Sequence, residues 1–140
     1  MPPEAGKAAL NCLRDHFVVG GGFWKVFRDP SPLLLGSRLK CAIRLYLGRR
    51  IMGDQAMFIR RKALEQAGGV PDWPLMEEFE LCRRLRGIGR LALADATVQT
   101  SARRFAKLGI TRTYARMWWV MLRYYFGASA QDLRRIYEKE

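Results

Sequence analysis

Between Gly53 and Leu85 the chain reads GDQAMFIRRKALEQAGGVPDWPLMEEFELCRRL, and its punctuation leaves few ways to fold. Ala56–Arg60 reads as a short strand and Arg61–Ala67 as one or two helical turns. Gly68-Gly69 and the Pro-Asp-Trp-Pro run then stop regular structure on both sides of Asp72. Asp72 is placed to cap or turn the chain ahead of a second helix that begins near Leu75. Gly87 and Gly89 end that helix.

The second helix carries an anomaly. Leu75, Glu78, Cys82 and Leu85 are spaced three, four and three apart, which puts them on one helical face. Three are apolar and one is a carboxylate. Glu77 and Glu80 point elsewhere, and Glu80 is expected to pair with Arg83 or Arg84 on the outer surface. Acids in a first turn and arginines in a last turn complement the helix dipole. That accounts for Glu77 and Glu80 but not for Glu78, because an inward carboxylate gives up its water. Inward, perturbed carboxylates concentrate at functional sites.

The rest of the chain surrounds this stretch. A helix is expected from about Glu4 to Asp15, and Phe17–Arg28 as a strand interrupted by Gly20-Gly21-Gly22. No helix follows those glycines and the GxGxxG spacing is absent, so they read as a bulge or a close backbone approach, not as a phosphate cradle. Asp29-Pro30-Ser31-Pro32 is a turn. A helix from about Leu33 to Leu47 is expected to turn Leu35, Leu39, Ile43 and Tyr46 or Leu47 inward, leaving Arg38, Lys40, Arg44, Arg49 and Arg50 to solvent. Arg90–Thr100 reads as a strand with Leu91, Leu93, Ala96 and Val98 as core candidates. Thr111–Phe126 reads as a helix whose aromatic arc is wider than a small core needs, and Ser129 opens a last short helix. The pattern is α/β, with about three strands and several flanking helices.

With 140 residues, 49% of them hydrophobic and 27% charged, there is room for one modest core. The net charge of +12 comes mostly from arginine and favours anionic partners: nucleotide phosphates, nucleic acid or an acidic membrane. Three scattered cysteines and one histidine argue against a structural zinc site, a disulfide framework and a nucleophilic triad. MPPEAGKAAL does not read as a signal peptide, and no apolar run approaches the ~20 residues that span a bilayer. A reduced, cytoplasmic setting is expected.

Three blocks, GDQAMFIRR, GGVPDWPLMEEFELCRRLRGIGRLAL and TSARRF, in this order, resemble the second half of a family 2 glycosyltransferase. The resemblance runs from about Met1 to Phe126 and is strongest to the small bacterial arsenosugar-biosynthesis-like branch. It implies a truncated GT-A-like domain, with residues 1–108 as the acceptor-side half and 109–140 as a helical extension. In such families the second acid of the pair in Pro-Leu-Met-Glu-Asp is the base that takes the acceptor proton. That position is Glu78, a glutamate where the pattern has aspartate, and so one methylene longer. Asp54, Gln55 and Glu77 would then bind the acceptor. Asp54 could equally cap its turn. Arg103 and Arg104, beside Phe105, would clamp a diphosphate.

The same resemblance exposes an absence. The family holds a divalent ion, Mg or Mn, on an Asp-x-Asp motif, and this chain has none. Glu78-Phe79-Glu80 has the spacing, but its acids diverge on a helix. The expectation is therefore a half domain without its nucleotide-binding half. It would bind no metal alone, and nucleotide-sugar donor and hydroxyl acceptor would meet on it only when complemented. An open sheet would invite a second copy or a partner chain. Two other classes compete. One is a basic nucleic-acid-binding module, disfavoured by the lack of a helix-turn-helix, RRM or zinc pattern. The other is a peripheral protein resting on an anionic membrane, at the inner face, through Thr111–Phe126.

Overall fold

A computed structural model describes residues 2–28, 36–101, 107 and 109–138. The expected Asp29–Pro32 turn and the start of the helix after it lie outside these residues.

The described elements are α1 (Ala5–Cys12), β1 (Val18–Phe27), α2 (Ser37–Tyr46), a 3-10 turn (Gly53–Gln55), β2 (Phe58–Ile59), α3 (Arg61–Gln66), α4 (Glu77–Arg86), β3 (Arg90–Thr100), α5 (Ile110–Tyr125) and α6 (Ala130–Glu138). The three strands form one mixed sheet in the order β2-β1-β3. β1 runs antiparallel to β2 and parallel to β3. The chain is thus a small α/β fold, and β3 spans the residues that the sequence pattern marks out for it.

The glycine run in β1 is a close approach. A Cβ on Gly21 would fall 2.1 Å from the Ala92 carbonyl oxygen and 2.6 Å from the Phe58 ring. Neighbouring strands close on β1 from both sides because those side chains are missing. Register shifts at Val18/Gly20 and Phe23/Trp24 bend the ladder with β3. The expected bulge and the expected close approach occur together.

The bends also reset which residues are buried. In β3 the buried residues are Ala94 and Val98, while Leu91, Leu93 and Ala96 are only partly covered. Phe23 joins Ala94, Val98 and α1 in one cluster; Val19 joins α3 and α4 in another. Arg60 Nη2 donates to the Leu13 and Val18 carbonyls, at 2.6 and 3.2 Å, and fastens the α1–β1 connection.

Two expectations are corrected. First, α2 is rotated from its expected phase. It buries Ser37, Cys41 and Leu45, whereas Leu39 (65% exposed), Ile43, Tyr46 and Leu47 (81%) face outward. Small residues fit here: Ser37 Oγ donates to the Lys25 carbonyl at 2.7 Å and Cys41 is fully covered. Second, Glu80 is buried, not on the outer surface. Its partners are the expected ones: Arg83 in a two-pronged contact at 2.7 Å and Arg84 at 2.9 Å. Arg84 also donates to the Ala67 carbonyl, so the acid is covered by its own arginines.

The C-terminal pair α5–α6 packs on the start of α4, where Val120 and Leu133 meet Met76 and Phe79. Ser129 Oγ accepts the Asp132 N–H and so caps α6. Among the described residues no helix is long and apolar enough to cross a membrane.

Candidate functional site

Cys82 fixes the geometry of the site. It sits one turn after Glu78 and is fully buried. Its sulfur accepts the Ile51 N–H at 3.5 Å and lies 3.7 Å from the Ile51 carbonyl oxygen. The segment carrying Gly53 and Asp54 is thereby held beside the first turn of α4. Gln55 completes the clamp. Its Oε1 accepts the Met52 N–H at 3.1 Å, and its Nε2 donates to the Phe23 carbonyl at 3.2 Å.

Two residues near the site sit at unusual backbone angles. Met76, just before α4, has φ 65°, and Ala56, just after the 3-10 turn, has φ 52°. L-residues adopt such angles at a cost of about 1–2 kcal/mol, and strain of this kind gathers at working sites. Asp72 is exposed and does not cap α4, whose N-cap position is Met76.

Asp54 and Lys25 meet across the cleft so formed. Lys25 Nζ donates to Asp54 Oδ2 at 2.5 Å. The lysine is almost wholly buried and its ammonium also lies 4.8 Å from the centre of the Phe27 ring. Thr100 Oγ1 donates to the Asp54 carbonyl at 3.1 Å. The cleft has a volume of 390 Å³, and its walls include Lys25, Arg44, Asp54, Glu78, Thr100 and Tyr114.

Glu78 is half-buried on that wall. Burial pushes its carboxyl above the ordinary carboxylate value, and the charges of Glu77 and Asp54 push the same way. Its own N–H and that of Gly53 act in the opposite sense. The result is a carboxyl that holds a proton more tightly than a solvated glutamate, next to an ion pair and an open space.

The sequence-predicted residues therefore separate. Glu78 and Asp54 share the cleft. Glu77 is exposed at the edge of a smaller cavity on the other side of Glu78. Gln55 is 1% exposed with both ends of its amide engaged by backbone, and so it holds the turn. Arg103 and Arg104 lie outside the described residues. Lys25 was missed; a lone lysine inside the apolar run GGGFWKVF is the signal that could have found it. Arg44 and Arg50 are also not simply solvated. Arg44 lines the cleft, and Arg50 lies over the Phe79 and Tyr125 rings, 5.2 and 4.8 Å from their centres.

Two other hollows are larger. A 510 Å³ cleft between α1, α2 and β3 has Asp15 and Arg90 at its rim, paired at 2.5 Å. A 570 Å³ hollow is also bordered by Gly53 and Asp54. Among the described residues, no three His, Cys, Asp or Glu side chains converge as a metal would need.

No protein-family model matches the chain, and neither a curated protein nor a solved structure is detectably similar to it.

Proposed function

We propose that the chain supplies the acceptor side of an inverting glycosyltransferase of GT-A type, with Glu78 as the general base. The single observation that carries this is the position of Glu78: a carboxyl of raised proton affinity, on the wall of a cleft that also holds Asp54 and Lys25. A base works best when its proton affinity approaches the working pH. In the proposed step the acceptor oxygen attacks the anomeric carbon as Glu78 takes its proton. The bond from that carbon to the nucleoside diphosphate breaks, and its electron pair leaves with the diphosphate. Asp54, oriented by Lys25, accepts a hydrogen bond from a second acceptor hydroxyl.

In this reading donor binding falls to residues outside this sequence, since the chain has no Asp-x-Asp. The test is transfer from a panel of nucleotide sugars. The chain alone should not turn over. Complemented with a donor half carrying Asp-x-Asp it should, and Glu78→Gln should lower the complemented rate ~10²–10⁴-fold. Turnover by the chain alone, or a complemented Glu78→Gln as fast as the parent, would refute the proposal.

A second reading, compatible with the first, is that the chain rests on an anionic membrane. On α5, Trp118, Trp119, Leu122 and Tyr125 are exposed, and Phe126 follows at 80%. The outward face of α2 adds Leu39, Ile43, Tyr46 and Leu47. Lys40 of α2 meets Tyr114 of α5, and Arg50, in the segment after α2, lies over the Tyr125 ring. Exposed aromatics among arginines complement an anionic interface by both burial and charge. Co-sedimentation with vesicles containing phosphatidylglycerol, lost with neutral vesicles and in Trp118→Ser/Phe126→Ser, is the expected result. Equal sedimentation of parent and variant would dismiss it.

A further inference from the structure

Glu78 is shared between two spaces of opposite character. On one side is the polar cleft of 390 Å³ with Lys25 and Asp54. On the other is a cavity of 200 Å³ walled largely by Leu75, Pro74, Val120 and the methionines 52, 76, 117 and 121. Met52, Glu78, Met117 and Tyr137 line both, so the spaces adjoin along those four residues.

We infer that the two spaces form one site for a neutral amphiphile, whose apolar part fills the methionine-walled cavity while its hydroxylated head lies at Glu78 and Asp54. The inference rests on the transferase reading and names the chemical class of its acceptor. A wholly polar sugar would leave the cavity empty or wet. A plain hydrocarbon would bury Glu78 against an unpaired apolar surface, at a desolvation cost. Only a molecule with both parts satisfies both walls.

Charge narrows the head further. Lys25 is already paired with Asp54, and Glu78 stands beside them, so an anionic head such as a carboxylate would meet two acids, with Arg44 on the same wall as the cation set against them. Hydroxyls can donate to both acids. Size and softness narrow the tail. An apolar cavity of about 150 Å³ holds benzene, so 200 Å³ suits one ring or a short chain. Four of the chain's six methionines line this cavity, and their unbranched, polarisable side chains adapt to either shape.

The test is calorimetric titration of the full chain with monomeric hexyl β-D-glucoside, methyl β-D-glucoside and hexanoate. Hexyl glucoside should bind at least ~10-fold tighter than the other two, the value of one to two buried methylenes or more. Met121→Trp, which fills the cavity, should lose ~10-fold of that affinity; Trp118→Ser, on neither wall, should lose none. Carbon-13 methyl signals of Met76 and Met121, which line the cavity and not the cleft, should move with hexyl but not with methyl glucoside, a readout on the parent chain that stands even if Met121→Trp misfolds. Equal affinity for the three probes, no binding, or binding abolished by Trp118→Ser would overturn the inference. The transferase reading fails separately. A complemented Glu78→Gln that still transfers sinks the base but leaves hexyl glucoside bound; a complemented enzyme that needs Glu78 but uses both glucosides equally sinks the amphiphile.

Discussion

Lys25 and Asp54, far apart in sequence and on different elements, form a 2.5 Å ion pair in which the lysine is nearly buried and the aspartate is partly open to solvent. That asymmetry sets unequal consequences. Asp54→Asn leaves a buried ammonium with a neutral partner and should destabilise the fold by about 2 kcal/mol, less than for a fully enclosed pair because water reaches Asp54. Lys25→Met should cost less, since Asp54 can turn to solvent. Urea unfolding of both variants checks the order.

Glu78 and Glu80 should respond to pH with opposite signs. Glu80 is held down to about 2 by hydrogen bonds and charge from Arg83 and Arg84. A lowered acid stabilises the fold above its unfolded value, near 4.5, and that contribution fades as pH falls toward 2. Discounted for the exposure of Arg83, it is about 1 kcal/mol. Glu80→Gln should thus lose stability at neutral pH and converge with the parent in acid. Glu78 is raised, so its folded form is favoured at low pH and the benefit is lost as pH rises through its folded value. Glu78→Gln should raise the melting temperature at neutral pH and change nothing in acid. Melting curves across pH 2–8 (roughly the window in which carboxylates titrate) check both signs.

Gln55→Leu tests the turn clamp. It would strand the Met52 N–H and the Phe23 carbonyl, each now bonded to the Gln55 amide. Unsatisfied buried groups cost about 1–3 kcal/mol each, so a loss of about 2–4 kcal/mol in urea unfolding is expected. An unchanged midpoint would mean that the turn needs no such support.

Gly21→Ala should prevent folding, because the new methyl would lie 2.1 Å from the backbone of β3. Losses above about 4 kcal/mol are the signature of such a conflict. Gly6→Ala, where nothing lies within 4 Å, is the control and should be neutral or mildly stabilising. Soluble yield and circular dichroism distinguish the two.

Much of the architecture was legible in the order of residues. The 53–85 stretch folds into turn, short strand, helix, glycine break and helix, because Pro restricts the backbone and Gly68 and Gly69 admit the positive φ that ends a helix. β3 was legible as well. The phase of α2 was not. Periodicity counts apolar side chains, but β1 selected the small face of Ser37 and Cys41 and left the larger Leu39 and Ile43 outside. Glu80's burial was hidden because two arginines on its own helix provide its cover. At the site, the three-four-three spacing placed Glu78 with Cys82 on the inward side of α4. Lys25 could not be joined to Asp54 from spacing alone, since that pairing depends on the Ile51–Cys82 contact and the long return from β1.

As the proposed base, Glu78 is a carboxyl kept out of ordinary solvation so that it can take a proton. Carbon-13 titration of the side-chain carboxyl, assigned by its loss in Glu78→Gln, measures this on the chain itself. The expected midpoint lies above the 4.5 of an ordinary glutamate and drops in Asp54→Asn, which removes a neighbouring negative charge. A midpoint at or below 4.5, unmoved by Asp54→Asn, would contradict the account.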